Sequence, residues 1–366
     1  MHPLEIFINQ TKQQRFIFSV DTKINNGVIV CLHNHEAEAK QWIVENNLED
    51  IVTLIPISMT NSRKTIRASQ TLRDVYGKKD IYIFWQKSRS IALQVTKMGI
   101  SEFLFLKDPE YKKYKFDPDF LINNTKELKS VFERLEDKES EAVFSSVIKF
   151  RITGDHNYLR ISKYSEYEHP IVSPKSNEWV IDCGSSNGAT SFRFAELVHP
   201  FGRVIAIEPD PNNIEIIEKN LETNFNSIAH RMYLENCAVS DTVGELKFSS
   251  GNGGSSKLSS EGNTSVLVDT LDNIIKRHKL KGTGTISFDV EGFEIEALNG
   301  GKQSIQKLRP KLQISAYHKP QDIIDIAKWI DDNLSDYALF MGHHETYHTE
   351  TDYYAIPREL LGSSTN

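Results

Sequence analysis

The chain has 366 residues, a formal net charge of -7 and three cysteines. This length exceeds the needs of one compact domain, so we expect two domains, each with its own hydrophobic core. The acidic balance argues against extended binding to nucleic acid, and three widely spaced cysteines without a CxxC pair favour reduced, buried thiols. The sequence has neither a signal-peptide pattern at its start nor the run of about 18 apolar residues that a membrane span needs. We therefore expect a cytoplasmic protein.

Residues 1–107 alternate short apolar runs with amphipathic stretches, which predicts strands and helices of a small α/β domain. The apolar runs read FIFSV, GVIVCLH, IVTLIPIS, IYIFW and FLFLKD. The turn after IYIFW reads QKSRS, and it lacks the glycines with which a backbone loop approaches a phosphate. We therefore predict an accessory domain with a binding or docking role rather than nucleotide binding or catalysis.

Residues 108–170 are rich in charged, helix-forming sequence such as TKELKSVFERLEDKESEAVFSSVIKF. Leu128, Val131, Phe132 and Leu135 recur at helical spacing and share one face. This stretch predicts a helical connector between two α/β domains.

Residues 171–366 contain seven further apolar runs, which read WVIDC, RVIAIE, RMYLENCAV, GTISFDV, LQISAY, YALFMG and TDYYAIP. Helical patterns such as NNIEIIEKNLETN separate the earlier runs, so we expect an open, largely parallel, doubly wound sheet of about seven strands. A longer insertion between Val239 and Thr283 is rich in glycine and serine. It predicts either a mobile loop near the site or a simple solvated loop.

The stretch VIDCGSSNGATS indicates a cofactor loop between the first strand of this domain and the next helix. A dinucleotide loop would have glycine at Ser186, where the pyrophosphate approaches the backbone. A cofactor without a pyrophosphate tolerates serine there, and the carboxylate of Asp182 suits a positively charged cofactor such as S-adenosylmethionine. An ordinary strand-to-helix turn is the alternative. The predicted cofactor-binding residues of the loop are Asp182, Gly184, Ser185, Asn187 and Gly188.

The ends of the next two strands extend the predicted cofactor site. Glu208 ends the run RVIAIE, where an acidic side chain can accept both ribose hydroxyls, and Pro209 ends the strand. The third strand ends at Asn236, Cys237 and Ala238, where adenine lies in such a fold. A polar residue after a buried strand is otherwise a simple loop start.

Together, VIDCGSSNGATS, VIAIEPDP, CAVSD, VDTLD and ISFDVEGFEIEALNGG resemble the FkbM-type S-adenosylmethionine-dependent methyltransferases, over roughly Phe132 to Pro357. The resemblance implies the class I, Rossmann-like methyltransferase fold and O-methylation, commonly of sugar hydroxyls in glycans, glycolipids or natural products. The N-terminal domain also resembles one found before this type of domain. Its expected GAG-like turn is replaced by QKSRS here.

Catalytic candidates follow the later strands of the domain. Methyl transfer from a sulfonium to a hydroxyl needs alignment and a base that removes the hydroxyl proton. We predict His318, after the fifth strand, as this base, with Asp289 after the fourth strand as its supporting carboxylate. His343 is a further catalytic candidate. Glu291, Glu294, Tyr317, His344 and Glu350 lie in the same predicted region, and Glu291 or Glu294 suits the alternative of capping the following helix.

Three alternatives stay open at this stage. A divalent metal held by Asp289, Glu291 and His318 ranks behind the metal-free base, because no HxxxH or CxxC pair accompanies them. An NAD-dependent oxidoreductase is disfavoured by Ser186 and Asp182. A non-catalytic scaffold that keeps the cofactor fold is the third alternative. We expect a carbohydrate acceptor, and a homo-oligomer remains open.

Overall fold

The structure is a computed structural model that describes residues 24, 26–58, 63–84, 88–100, 104–105, 114–116, 118–154, 158–249, 257–258, 264–345 and 347–364. Contacts divide the chain into two compact units. Unit 1 consists of Met1–Thr125, Ser145–Ile161 and Glu345–Thr349, and unit 2 consists of Lys126–Phe144, Ser162–His344 and Glu350–Asn366. Each unit is therefore assembled from three separate segments of the sequence.

Unit 1 contains a parallel four-stranded sheet in the order β2-β1-β3-β4. Its strands are β1 (Gly27–Leu32), β2 (Val52–Ile57), β3 (Asp80–Ile83) and β4 (Leu104–Phe105), and its first helices are Glu36–Glu45, Arg63–Val75 and Ser88–Lys97. β1 is buried along its whole length because hydrophobic clusters cover both faces of the sheet. The predicted small α/β layer is confirmed. The run FIFSV and the first two residues of QKSRS lie outside the described residues.

The helical character predicted for the connector is confirmed by three helices, Pro118–Asn123, Thr125–Arg134 and Lys138–Thr153. Leu128, Val131 and Leu135 are buried, as their shared helical face predicts. The contacts assign the first part of the last helix to unit 2 and the second part to unit 1. The functional boundaries at residues 107 and 170 remain predictions.

Unit 2 is built on a seven-stranded sheet in the order β14-β15-β13-β12-β5-β6-β7. Neighbouring strands are parallel from β13 to β7, and β15 runs antiparallel to both β13 and β14. This mixed sheet confirms the predicted fold class. The strands are β5 (Trp179–Cys183), β6 (Arg203–Ile207), β7 (Met232–Glu235), β12 (Gly284–Phe288), β13 (Lys311–Ser315), β14 (Tyr337–His343) and β15 (Thr351–Pro357).

The helices of unit 2 that follow the connector are Ala189–Leu197, Pro211–Thr223, Asn226–Ala229, Leu271–Arg277, Glu294–Gly300, Lys302–Leu308 and Asp322–Asn333. The carboxyl ends of parallel strands meet at one edge of a sheet, and ligands of such folds bind outside that edge. We call the loops that follow β5, β6, β12 and β13 the carboxyl edge. Within the described residues, no helix is both long and apolar enough to span a bilayer.

The insertion after Val239 differs from the predicted loop. It contributes to a second sheet, in the order β10-β9-β11-β8, whose strands are β8 (Ala238–Val239), β9 (Gly244–Ser249), β10 (Lys257–Leu258) and β11 (Thr264–Asp269). Val266 and Val268 are buried while Leu267 between them is exposed, which is the period-two pattern of a strand. The glycine-rich residues 250–256 and residues 259–263 lie outside the described residues.

Candidate functional site

The predicted cofactor loop leaves β5 and passes tightly against the end of β12. Gly184 has a φ of +90° and Gly188 a φ of +85°, a backbone region in which side chains are strained. A Cβ atom on Gly184 would lie 1.9 Å from the carbonyl oxygen of Asp289. Glycine at this position therefore lets the cofactor loop contact the backbone that presents Asp289.

Asp182 lies inside β5 and is 3% exposed. The Ser191 hydroxyl donates a hydrogen bond to its Oδ2 atom, and the Ser185 hydroxyl donates to the Asp182 carbonyl oxygen over 3.0 Å. Burial raises the pKa of Asp182 to about 7, although the Ser191 hydrogen bond opposes the shift. A positive charge placed beside this carboxyl would lower its pKa again and be stabilised in return.

Glu208 links the loop after β5 to the loop after β6. Its Oε2 atom accepts the backbone N–H of Ser186 at 2.8 Å, and its Oε1 atom accepts the backbone N–H of Asp210 at 2.9 Å. The side chain of Asn213 also donates to Oε1, over 3.2 Å. Glu208 is 4% exposed, and burial raises its pKa. The carboxylate thus fixes two loops at the edge where a ribose is expected.

The other predicted cofactor residues lie at the same edge. The Oδ1 atom of Asn187 accepts the N–H of Ala189 at 3.1 Å and so holds the start of the helix Ala189–Leu197. Pro209 is half-buried and follows Glu208 directly. After β7, Asn236 is exposed whereas Cys237 and Ala238 are each 6% exposed. Burial raises the pKa of the Cys237 thiol to about 12, so this cysteine is neutral at physiological pH.

Asp289 receives two phenol hydroxyls. Tyr167 and Tyr317 each donate a hydrogen bond of 3.2 Å to its carboxylate, while its backbone N–H donates to the Cys183 carbonyl over 2.9 Å. Burial raises the pKa of Asp289, and the charge of His318 opposes this shift. Tyr167 was not predicted, because it precedes β5 and no pattern in the sequence connects it with β12.

His318 lies between carboxylates on both sides of its ring. Its Nδ1 atom is 3.0 Å from Glu294 Oε1, and its Nε2 atom is 3.4 Å from Asp289 Oδ1 and 3.6 Å from Glu291 Oε2. Burial alone would lower its pKa, but these three carboxylates raise the pKa to about 9. The predicted proximity of His318 to Asp289 is therefore present. Glu294 is a third member of the cluster that sequence reasoning assigned only to helix capping.

A cation could share this cluster. Asp289, Glu294 and His318 each offer one ligand atom, and these atoms lie within 4.8 Å of one another. The two acids, however, contact opposite nitrogens of the ring, whereas a metal ion would bind only one of them. This arrangement is that of an imidazolium held between carboxylates.

The remaining catalytic candidates are engaged elsewhere. His343 is fully buried in β14, and its Nδ1 atom lies 2.8 Å from Thr351 Oγ1. His344 Nε2 lies 2.8 Å from the Tyr354 hydroxyl, and burial lowers the pKa of this histidine to about 4. Burial and the adjacent Glu166 raise the pKa of Glu350 to about 10, so it is protonated at neutral pH. The structure brings none of the three into ion-pair distance of His318 among the described residues.

Comparison with known proteins identifies similar sequences and folds. A family model described as the methyltransferase FkbM domain matches residues 182–338. The 2-O-methyltransferase NoeI of Sinorhizobium fredii (strain NBRC 101917 / NGR234) is 26% identical over 156 residues, which cover 37% of this chain and 62% of NoeI. The crystal structure of methyltransferase FkbM from Methylobacillus flagellatus KT matches with a TM-score of 0.65 at 17% identity, over 96% of this chain and 98% of that one.

The structural match confirms the predicted class I methyltransferase fold. The family match extends from the end of β5 to the start of β14 and includes Asp182, Glu208, Asp289 and His318. The alignment with NoeI spans less than two thirds of that protein's length. The comparisons thus identify a methyltransferase FkbM domain at residues 182–338, which make up less than half of the chain.

Proposed function

We propose that the protein transfers the methyl group of S-adenosylmethionine to a hydroxyl oxygen of a carbohydrate. The observation that carries this proposal is the close approach of Gly184 to the Asp289 carbonyl, because it joins a cofactor-type loop to a histidine–carboxylate cluster. An oxygen acceptor agrees with the name of the relative NoeI, a 2-O-methyltransferase. The sugar is what resemblance to FkbM-type enzymes implies.

The cofactor supplies a methyl group on a positively charged sulfur, which is already a good leaving group. Asp182 and Glu208 provide buried carboxylates at the ends of β5 and β6, as a cationic, ribose-containing cofactor requires. Ser186 stands where a dinucleotide loop has glycine. Its φ of +48° and its N–H bond to Glu208 support a loop shaped for a ligand without a pyrophosphate.

His318 is the proposed general base. Its Nε2 contacts to Asp289 and Glu291 are 3.4 and 3.6 Å long, and its Nδ1 contact to Glu294 is shorter, at 3.0 Å. All three are ion-pair contacts rather than aligned hydrogen bonds. An acceptor hydroxyl that enters here can donate to Nε2 and pass its proton to the ring as the oxygen attacks the methyl carbon. Asp289 would stabilise the imidazolium that forms, since a negative charge nearby favours the protonated ring.

Calorimetry with S-adenosylmethionine and with its demethylated product is the first test. We expect both to bind at micromolar concentration and NAD to bind no better than a nucleotide control. If neither S-adenosylmethionine nor its demethylated product binds, the proposal is refuted. Preferential binding of NAD would revive the oxidoreductase alternative, and cofactor binding without turnover across a broad glycan panel would favour the scaffold.

Replacement of the base is the second test. His318→Ala should reduce turnover by ~10²- to 10⁴-fold, because general-base assistance is lost. Cofactor affinity should change little, since the cofactor loop follows β5. His230→Ala is the matched control, because His230 is exposed and follows the short helix Asn226–Ala229. Near-normal turnover of His318→Ala would contradict the base role.

A divalent metal is the competing mechanism, and the 4.8 Å spacing of Asp289, Glu294 and His318 is the observation in its favour. The two mechanisms differ in their response to a chelator. The metal-free base predicts unchanged turnover in EDTA. Loss of activity in EDTA, restored by magnesium or manganese, would replace the base mechanism.

We also propose that residues 1–107 assist docking of the acceptor and that the reaction takes place in the cytoplasm. The absence of a glycine-rich phosphate loop in QKSRS motivates the first proposal. Comparison of KM for the acceptor between the full chain and variants of unit 1 tests it. An unchanged KM across surface variants of unit 1 would count against docking.

A further inference from the structure

Glu294 is the most buried carboxylate of the histidine cluster, at 1% exposure. It is the first residue of the helix Glu294–Gly300, and its side chain points back toward the loop after β12. Its Oε1 atom accepts the backbone N–H of Val290 at 3.1 Å and that of Gly292 at 3.2 Å. One carboxylate oxygen of Glu294 thus connects its own helix to Val290 and Gly292 in the loop.

The loop can adopt this shape because two of its residues have left-handed backbone conformations. Glu291 has a φ of +55° and Gly292 a φ of +93°. The Lys319 ammonium donates a hydrogen bond to the Gly292 carbonyl, which connects this loop to the residue after His318. The position of Glu294 relative to His318 is therefore set by backbone contacts on both sides.

The two nitrogens of the His318 ring have different surroundings. Nδ1 lies 3.0 Å from Glu294 Oε1, deep in the unit, whereas Nε2 faces Asp289 and Glu291, which are 27% and 32% exposed. The buried side of the ring is thus occupied by a fixed carboxylate. The other side faces the part of the carboxyl edge that solvent or an acceptor can reach.

A buried carboxylate without a positive partner is strongly unfavourable. Glu294 Oε2 has no hydrogen-bond partner within the described part of the chain, so the charge of Glu294 depends on His318 and the two N–H donors. Burial alone would raise the pKa of Glu294, yet the contact with His318 lowers it overall. The ion pair therefore holds at neutral pH.

We propose that Glu294 is the positioning residue for His318, holding the ring proton on Nδ1 so that Nε2 is the nitrogen that accepts the acceptor proton. This inference rests on the proposed base role of His318. It reassigns the supporting carboxylate from Asp289 to Glu294, because Asp289 lies on the Nε2 side that the acceptor must enter. The arrangement follows the general logic of a base oriented by a third, buried group.

Direct observation of the ring tests the proposal without any substitution. In the wild-type protein with isotope-labelled histidine, NMR chemical shifts of His318 above pH 9 should report the tautomer protonated on Nδ1. The tautomer protonated on Nε2 would overturn the proposal. This measurement needs neither cofactor nor acceptor, so it remains readable if the methyltransferase proposal fails.

Glu294→Gln tests the charge of the positioning residue. The amide oxygen can still accept the N–H groups of Val290 and Gly292, while the negative charge beside Nδ1 is lost. We expect the NMR-measured pKa of His318 to fall by at least one unit and the pH at half-maximal kcat to fall with it, with KM for the cofactor unchanged. Glu296→Gln, on the same helix, is the control and should leave both pH values in place.

Other groups that face His318 must be kept constant in this comparison. Asp289, Glu291 and Tyr317 contact His318, Asp322 and Glu350 interact with its charge, and Lys319 follows it in the chain. A folded Glu294→Gln protein with an unchanged His318 pKa would refute the positioning role. If this variant does not fold, the wild-type tautomer decides the question.

Discussion

Gly184 lies where the cofactor loop meets the end of β12, and it combines two constraints that can be separated by experiment. Its φ is +90°, and an added Cβ would meet the Asp289 carbonyl oxygen, a backbone atom that cannot rotate away. Gly282 has a φ of +73° with nothing within 4 Å of an added Cβ. Gly282 is therefore a matched control, because a side chain there would be strained by the positive φ but would not clash with a neighbouring atom.

Gly184→Ala should destabilise the protein by more than Gly282→Ala and should also weaken cofactor binding. The conformational strain costs about 1–2 kcal/mol at either position, and overpacking adds roughly 1–3 kcal/mol at Gly184. Thermal unfolding and calorimetry measure the two effects. Equal losses of stability in the two variants would show that the contact with Asp289 is not needed.

The raised pKa of His318 predicts opposite pH trends for turnover and for the stability of the fold. A base must be neutral, and the raised pKa of about 9 keeps the ring protonated at pH 7, so turnover should rise between pH 7 and 9. A histidine pKa raised above its ordinary value of 6.5 stabilises the fold fully below pH 6.5, and this contribution is lost as the pH passes through 9. Turnover and thermal unfolding across this range test both trends. A turnover optimum below pH 7 would contradict the base assignment.

At the scale of elements, β15, the last strand in the chain, places acidic residues at the carboxyl edge. β15 is antiparallel to β13, so its first residues lie beside the end of β13, with Asp352 opposite Ser315. Glu350 precedes β15, and its carboxyl group interacts with that of Glu166. Burial raises the pKa of both carboxyl groups, to about 7 for Glu166 and about 10 for Glu350. Their contact raises the pKa of Glu350 further and opposes the shift of Glu166, because two carboxyl groups in contact cannot both ionise easily and Glu350 is the one that stays protonated.

Glu350→Gln should preserve activity at pH 7, because it replaces an already neutral acid with a neutral amide. Wild-type stability should fall as the pH rises from 4.5 toward 10, since Glu350 binds its proton more tightly in the folded state than in the unfolded state. The variant should lack this part of the decline and be the more stable protein at pH 8. Melting curves at pH 6 and pH 8 measure the difference, and a larger loss in the variant at pH 8 would contradict the raised pKa.

The sequence predicts those elements whose periodicity is strong, and it predicts site residues that directly follow them. WVIDC forms β5 and RVIAI forms β6, so the positions of Asp182 near the end of β5 and of Glu208 directly after β6 could be predicted from the strand pattern. Tyr167 and Glu294 could not be located in this way. Their contacts depend on the path of an irregular segment and on a side chain that turns back along its own loop, and neither has a periodic signal.

At the scale of the whole molecule, removal of residues 1–107 is expected to reduce the solubility of the protein more than its affinity for the cofactor. Such a truncation would leave Ser145–Ile161 without most of unit 1, and this segment includes the buried Ile148 and Phe150. The predicted cofactor-binding residues belong to unit 2. We therefore expect the soluble fraction to bind the cofactor within about threefold of the wild-type affinity, a difference of under 1 kcal/mol. Size-exclusion chromatography and calorimetry test this; a folded truncation without cofactor binding would contradict it.

The division of each unit into three segments has a consequence for synthesis on the ribosome. Domains generally fold in the order in which they emerge, N-terminal first. Unit 1 here includes Glu345–Thr349, in which Tyr347 packs on its hydrophobic cluster and His348 stacks on Tyr114 at 3.6 Å. The N-terminal unit therefore cannot complete its native contacts until Glu345–Thr349 has been translated, and nascent chains that stop before Glu345 should leave both units incomplete and exposed to chaperones and proteases.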